Sequence, residues 1–277
     1  DKEYSSQTLK NRFSEMFKLC EDFIVYNKIN SDSFEKEKFL LPYYLDKKLF
    51  RLFENKYVRD KKELESQPDS ENKYRNLAFL NIVNINLLNK KNKKGKMYDQ
   101  YYDSSSFYIC YYLIQLFQFG IEYKTQEYDN ETREFNLILS ILDTLKIDDI
   151  IEKFKNSDDK FYKVVCMFYY LYKAYENPEE ENNYYESKKL FGELSVFFED
   201  ESKTDFYKVM ITYCIMRQNA GIKKFQFELF DLYNEKLNQG LYQEFRQMMY
   251  PINTFRDYVY IGLEIGNYHW VDNFIKK

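Results

Sequence analysis

The sequence predicts an all-α fold in which antiparallel helix pairs stack as an α-solenoid, and three observations lead there. First, an aromatic pair opens one apolar stretch after another: Phe107-Tyr108, Phe161-Tyr162, Phe206-Tyr207, and Phe255 with Tyr258. These openings recur roughly every 45–55 residues, the interval expected when each unit is a helix pair stacked on its neighbours. Second, 277 residues hold only 7 Gly and 4 Pro, too few for the tight turns of a sheet-rich chain. Third, 44 % of the residues are hydrophobic and 20 % aromatic, which excludes a disordered chain. With 29 Tyr and 25 Phe against 1 Trp, rings must fill the core, and many tyrosines should keep the ring packed and the hydroxyl wet at a helix edge.

A first helix is expected over about residues 6–28. Leu9, Phe13, Met16, Phe17, Cys20, Phe23 and Ile24 fall there at steps of three and four, on one face. Asp32, followed three residues later by Glu35, reads as the N-cap of a second helix. That helix carries Phe34, Leu41, Leu45, Leu49, Leu52 and Phe53, and is kinked or started by Pro42. Residues 1–59 thus make an N-terminal helix pair, the polar run 60–73 a linker, and 74–277 the repeat array.

Within the array, a helix over 74–88 ends at the lysine-rich segment 90–96, which is too polar to pack and reads as an exposed loop. Ser104-Ser105-Ser106 should cap a helix beginning at Phe107, with 132–145 as its partner. Helices over 161–175 and 184–198, over 206–218 and 225–237, and over 255–265 and 268–276 make the next three pairs. Asp158-Asp159, Thr204-Asp205 and residues 251–254 introduce the first member of each. At Gly266-Asn267 the glycine supplies the left-handed stop between the last two helices. The chain opens at Asp1 without Met and closes without a polar capping helix, so a longer native protein is expected.

The later half of the chain carries a resemblance. Gly266-Asn267-Tyr268-His269-Trp270-Val271-Asp272-Asn273-Phe274 resembles the second-helix opening of tetratricopeptide-like repeats, in which a Gly turn precedes an aromatic, a small and another aromatic residue on one face. Gly221 followed by Phe225 and Leu229 is a looser echo. The interval here is longer than that family's usual 34 residues, Val271 stands where Ala is typical, and the Trp/Leu-Gly signature of the first helix is absent. The resemblance implies a right-handed superhelix whose concave groove binds a peptide or protein; no groove residue carries over.

Charge and motifs narrow the function classes. Basic residues number 41 against 45 acidic, a net −4 that gives no electrostatic support to a general nucleic-acid binder. No run is long and apolar enough for a membrane span and no signal peptide is visible, so a cytoplasmic protein is expected. Cys20, Cys110, Cys166 and Cys214 form no CxxC pair and read as buried thiols of a reducing compartment. The single histidine, His269, excludes a His-based triad, HExxH and a multi-His zinc site, and no phosphate-cradling GxxxxGK[ST] loop is present. Asp143, Asp148, Asp149 and Glu152 gather at a helix junction; Asp148 and Glu152, four apart, share a helix face. Solvated carboxylates complementing a helix start are the preferred reading over acid–base or metal chemistry.

No catalytic, cofactor-binding or metal-binding residue is therefore assigned. The function expected is a non-enzymatic scaffold or adaptor that binds another protein or peptide through its helical-repeat surface. The partner contact is expected at Lys90, Lys91, Lys93, Lys94 and Lys96 with Tyr98, Tyr101 and Tyr102. The alternative is a nucleic-acid-associated repeat in which those lysines meet phosphates and the tyrosines stack on bases.

Overall fold

The computed structural model describes residues 6–31, 33–68, 70–128, 137–157, 160–241 and 252–276. Among these residues the secondary structure is thirteen α-helices and one short 3₁₀ turn, so the fold class is all-α. The expected caps at Asp32 and Asp158-Asp159, residues 132–136 of the expected partner helix, and Pro251 lie outside the described residues. The chain divides into two compact units, residues 1–67 with 72–108, and residues 109–277 with 68–71.

The first unit contains α1 (Ser6–Ser31), α2 (Ser33–Asp46), α3 (Phe50–Ser66), α4 (Glu71–Lys90) and the opening of α5 (Lys94–Tyr128). The single second helix read from the sequence is two helices. Lys48 takes the left-handed conformation (φ 57°), and the Lys48 and Leu49 amides donate to the Leu45 and Tyr44 carbonyls. This reciprocal pair closes the helix end as a Schellman motif, here without glycine. α2 meanwhile runs through Pro42. Residues 60–66 of the polar run are the last part of α3, where Asp60 and Leu64 are buried. Leu41, Phe53, Leu80 and Leu87 form the fully buried centre of this unit.

α1 departs from the sequence reading in its surroundings. It forms where expected, but Leu9, Phe13, Met16, Phe17, Phe23 and Ile24 are 47–69 % exposed rather than packed. Cys20 is likewise exposed, whereas Cys110, Cys166 and Cys214 are buried as expected.

α5 also differs. It begins at Lys94, so the serine triplet lies inside the helix, with Ser105 and Ser106 donating their hydroxyls back to the Tyr102 carbonyl. Serine satisfied by its own helix in this way does not end it.

The second unit holds the rest of α5, α6 (Leu137–Thr144), α7 (Ile147–Lys155), α8 (Lys160–Glu176), α9 (Asn182–Leu194), α10 (Asp200–Asn219), α11 (Lys224–Asn238), α12 (Ile252–Glu264) and α13 (Tyr268–Lys276). α8 packs on α9, α10 on α11, and α12 on α13. Phe161, Phe206, Tyr207 and Tyr258 of the recurring aromatic openings are buried, but only Phe161 coincides with a helix start; α10 begins at Asp200 and α12 at Ile252, ahead of the expected starts at 206 and 255. Rings then join one pair to the next: Phe206 stacks on Phe191 at 4.5 Å and meets Phe168 edge-on at 5.5 Å, and Tyr233 lies 4.5 Å from Tyr258. Two of the buried tyrosine hydroxyls bond to backbone carbonyls. Tyr175 donates to the Val209 carbonyl at 2.7 Å and Tyr213 to the Pro178 carbonyl at 3.1 Å. Thr204, expected as a cap, lies within α10 and donates to the Asp200 carbonyl.

The last turn forms as the sequence indicates. Gly266 has φ +75°, its amide donates to Leu263, and the Asn267 amide donates to Gly262. Asn267 Oδ1 then accepts from the Trp270 amide and starts α13. Where α12 crosses α13, a Cβ on Gly262 would sit 2.6 Å from Val271 Cγ2. A bare backbone at 262 is what admits the branched side chain at 271.

Candidate functional site

The lysine segment named from sequence is not one loop. Only residues 91–93 lie between helices; Lys90 closes α4, and Lys94 and Lys96 belong to the first turn of α5. Lys90 donates to the Leu45 carbonyl at 3.1 Å, and Lys91 pairs with Glu54 at 2.6 Å while lying 5.7 Å over the Phe50 ring. Two of the five lysines are thus directed at the protein, and Lys93, Lys94 and Lys96 remain exposed. Tyr98, Tyr101 and Tyr102 are exposed, and Lys94, Tyr98 and Tyr101 share a face of α5 by their spacing.

His269 is exposed and sits 3.1 Å from Asn273 Nδ2 through Nδ1. Of the carboxylate pair read from sequence, Glu152 is occupied by Lys155 at 2.6 Å, while Asp148 turns towards α8.

The more developed site is a cleft of about 540 Å³ in the second unit, formed by α5, the α6–α7 junction and α8. Its floor is Phe117 of α5, fully buried, stacked on Tyr172 at 5.9 Å and edge-on to Tyr169 at 5.7 Å. The floor depends on a close approach. A Cβ at Gly120 would lie 2.9 Å from Leu142 Cδ1 and equally close to the Tyr172 ring, so the missing side chain lets both walls settle on α5.

One wall arises because α6 stops at Thr144 and α7 restarts at Ile147. Leu142 and Ile147 are buried and anchor the break. Asp148 and Asp149 fall in the first turn of α7, where carboxylates complement the helix dipole. The opposite wall is Tyr169, Tyr172, Lys173 and Glu176, one stripe of α8.

Hydrogen bonds fix the two walls. Tyr169 donates to Asp148 Oδ1 at 2.6 Å, Tyr172 to Glu176 Oε1 at 2.9 Å, and Lys173 to Glu176 Oε2 at 2.6 Å. Burial, reinforced by the carboxylate each one faces, pushes both phenols well above their ordinary range. They therefore stay protonated and act as donors. Lys173 reaches only 4.0 Å from Asp148, whose side chain is 72 % exposed. Asp143 and Asp149, also on the rim, make no ion pair among the described residues. Four carboxylates thus surround an aromatic floor against two lysines, Lys146 and Lys173.

That arrangement suits a cation. Carboxylates accept charge-assisted hydrogen bonds from an ammonium or guanidinium group, and ring faces attract the same charge. Among the described residues no group of three or more His, Cys, Asp or Glu side chains converges as metal ligands would. The sequence pointed to the carboxylates but not to the cleft, because the aromatic half comes from α5 and α8. The Tyr169–Asp148 bond spans 21 residues and has no local signature.

Comparison of the chain with protein-family models, curated proteins and solved structures found no match.

Proposed function

We propose that this chain is a non-enzymatic protein-interaction scaffold, and that the cleft of α5, the α6–α7 junction and α8 takes a basic side chain of its partner. The excess of carboxylate over lysine around an aromatic floor carries this reading. A cleft of about 540 Å³ accommodates one arginine or lysine with its flanking backbone. Asp143 and Asp149 supply unspent charge at the rim, while Phe117, Tyr169 and Tyr172 are buried beneath it and hold the cleft in shape. α8 packs on α9, α10 on α11 and α12 on α13, and we read these pairs as a short α-solenoid of the tetratricopeptide-like kind.

Fluorescence anisotropy on the intact protein tests this. The probe is a labelled decapeptide of alternating arginine and glycine-serine, with an aspartate version as control. The arginine peptide should bind, weaken about tenfold in the Asp143→Asn/Asp149→Asn variant, and weaken with salt. Equal binding of both peptides, or no change in the variant, overturns the assignment. A nucleic-acid partner at Lys93, Lys94, Lys96 and the neighbouring tyrosines is the second reading, favoured by the shared face of Lys94, Tyr98 and Tyr101. A labelled single-stranded oligonucleotide in the same assay addresses it.

A further inference from the structure

We propose that α1 is a self-association helix, through which two copies of this chain pair. Every described side chain from Gln7 to Asn30 is exposed, apart from the partly exposed Thr8 and Ile29. Yet the helix is not polar. Leu9, Phe13, Met16, Cys20 and Phe23 follow one another at steps of four, three, four and three, the spacing of a coiled-coil seam. Phe17 and Ile24 flank that seam on one side, Leu19 and Tyr26 on the other. A helix of this length lacking tertiary packing is marginal in water, so something must cover it.

Area and charge identify the occupant. Phe13, Phe17, Phe23 and Tyr26 are 62–69 % exposed. At the usual area of such rings they alone offer on the order of 500 Å². Leu9, Met16, Leu19 and Ile24 beside them bring the face to the scale of the ~800 Å² per partner in a stable interface. A single soluble domain rarely leaves so large an apolar patch open. Outside the seam the helix mixes Lys10, Arg12, Lys18 and Lys28 with Glu15, Glu21 and Asp22. A helix lying on an anionic membrane would instead concentrate lysine and arginine there. Balanced charge beside a seam of heptad spacing is complementary to a second copy of itself. Asn27 falls at the next seam position, where a polar residue limits the register of such pairs.

Light scattering on the intact protein across a concentration series, with Cys20 alkylation as a second readout, decides the matter. The wild type should show the mass of two chains, and Cys20, central in the seam, should alkylate at least tenfold more slowly when concentrated than when dilute. Phe13→Glu/Phe23→Glu should give the mass of one chain with fast alkylation at every concentration. Its circular dichroism should lose at most the signal of α1, because the replaced rings touch water in the single chain and, among the described residues, no other helix packs on them. Lys18→Ala, on the opposite face, should remain paired. A monomeric wild type with concentration-independent alkylation overturns the proposal. So does a monomer that floats with phosphatidylcholine–phosphatidylglycerol vesicles, which would make lipid the occupant.

Discussion

The Tyr184 hydroxyl of α9 donates to Glu228 Oε1 of α11 at 2.9 Å, so a fully buried ring on one helix pair is fastened to the next. Lys188 reaches the same oxygen at 2.5 Å, and the Cys214 thiol lies 3.4 Å from the phenol. Burial and the facing carboxylate raise the phenol far above its ordinary range, so it donates at every accessible pH. Tyr184→Phe keeps the ring and removes the bond, and should cost about 1–2 kcal/mol. Urea unfolding followed by circular dichroism checks this; an unchanged midpoint would show that the hydroxyl contributes nothing.

Phe206 is held between Phe191 and Phe168 across the same boundary between pairs. Phe206→Ala should destabilise by about 3–5 kcal/mol, the range for deleting a buried ring. The corresponding measurement is a loss of cooperative thermal unfolding in the second unit.

At position 120 the opposite change is informative. Gly120→Ala places a methyl group 2.9 Å from Leu142 and Tyr172, and should cost about 1–3 kcal/mol through overpacking. Because Tyr172 belongs to the α8 wall of the cleft, the variant should also bind the arginine decapeptide more weakly. Retained affinity with lowered stability would separate the packing of that wall from recognition.

Acid should loosen α10 by a defined route. The buried Arg217 guanidinium donates to Glu179 at 2.9 Å and to Glu181 at 3.4 Å. The bond from Arg217 holds the Glu179 carboxyl below its ordinary 4.5. A carboxyl lowered in the folded state contributes stability above its unfolded value and loses it as pH falls through the folded one. The melting temperature should therefore be flat above about pH 5 and fall below pH 4.5, with a shallower fall in Glu179→Gln. Identical profiles for the two proteins would exclude this contact.

Thiol chemistry gives a further check. Burial pushes the Cys166 thiol up to about 11 and Cys214 up to about 12, and Cys110 is buried as well. In nanomolar native protein one thiol should react rapidly with a disulfide reagent, and none in Cys20→Ser. Two fast thiols would place a second cysteine at the surface.

The parts of the fold legible in sequence are those whose cause is local. Phe161, Phe206 and Tyr258 announce buried helix faces, and Phe161 alone also a helix start, since α10 and α12 begin upstream at Asp200 and Ile252; Gly266 announces a stop because the turn needs its left-handed backbone. Lys48 ends α2 in the same backbone conformation without a glycine to signal it. The serine triplet misleads because serine caps a helix or bonds back into one with equal ease, and the surrounding packing of α5 decides. For α1 the periodic face is legible but what it meets is not, since periodicity identifies a face and not its neighbour. The cleft is least legible: Phe117, Asp148 and Tyr169 become a site only when three helices converge.

The contact between Gly262 and Val271 constrains how this sequence can drift. With no room for a methyl group at 262 while valine stands at 271, the two positions cannot vary independently. A lineage acquires alanine at 262 only after 271 has shrunk, and the reverse order passes through a poorly folded ancestor. Among descendants of this chain, a larger residue at 262 should therefore always travel with a smaller one at 271, leaving a pairwise historical imprint at the α12–α13 crossing.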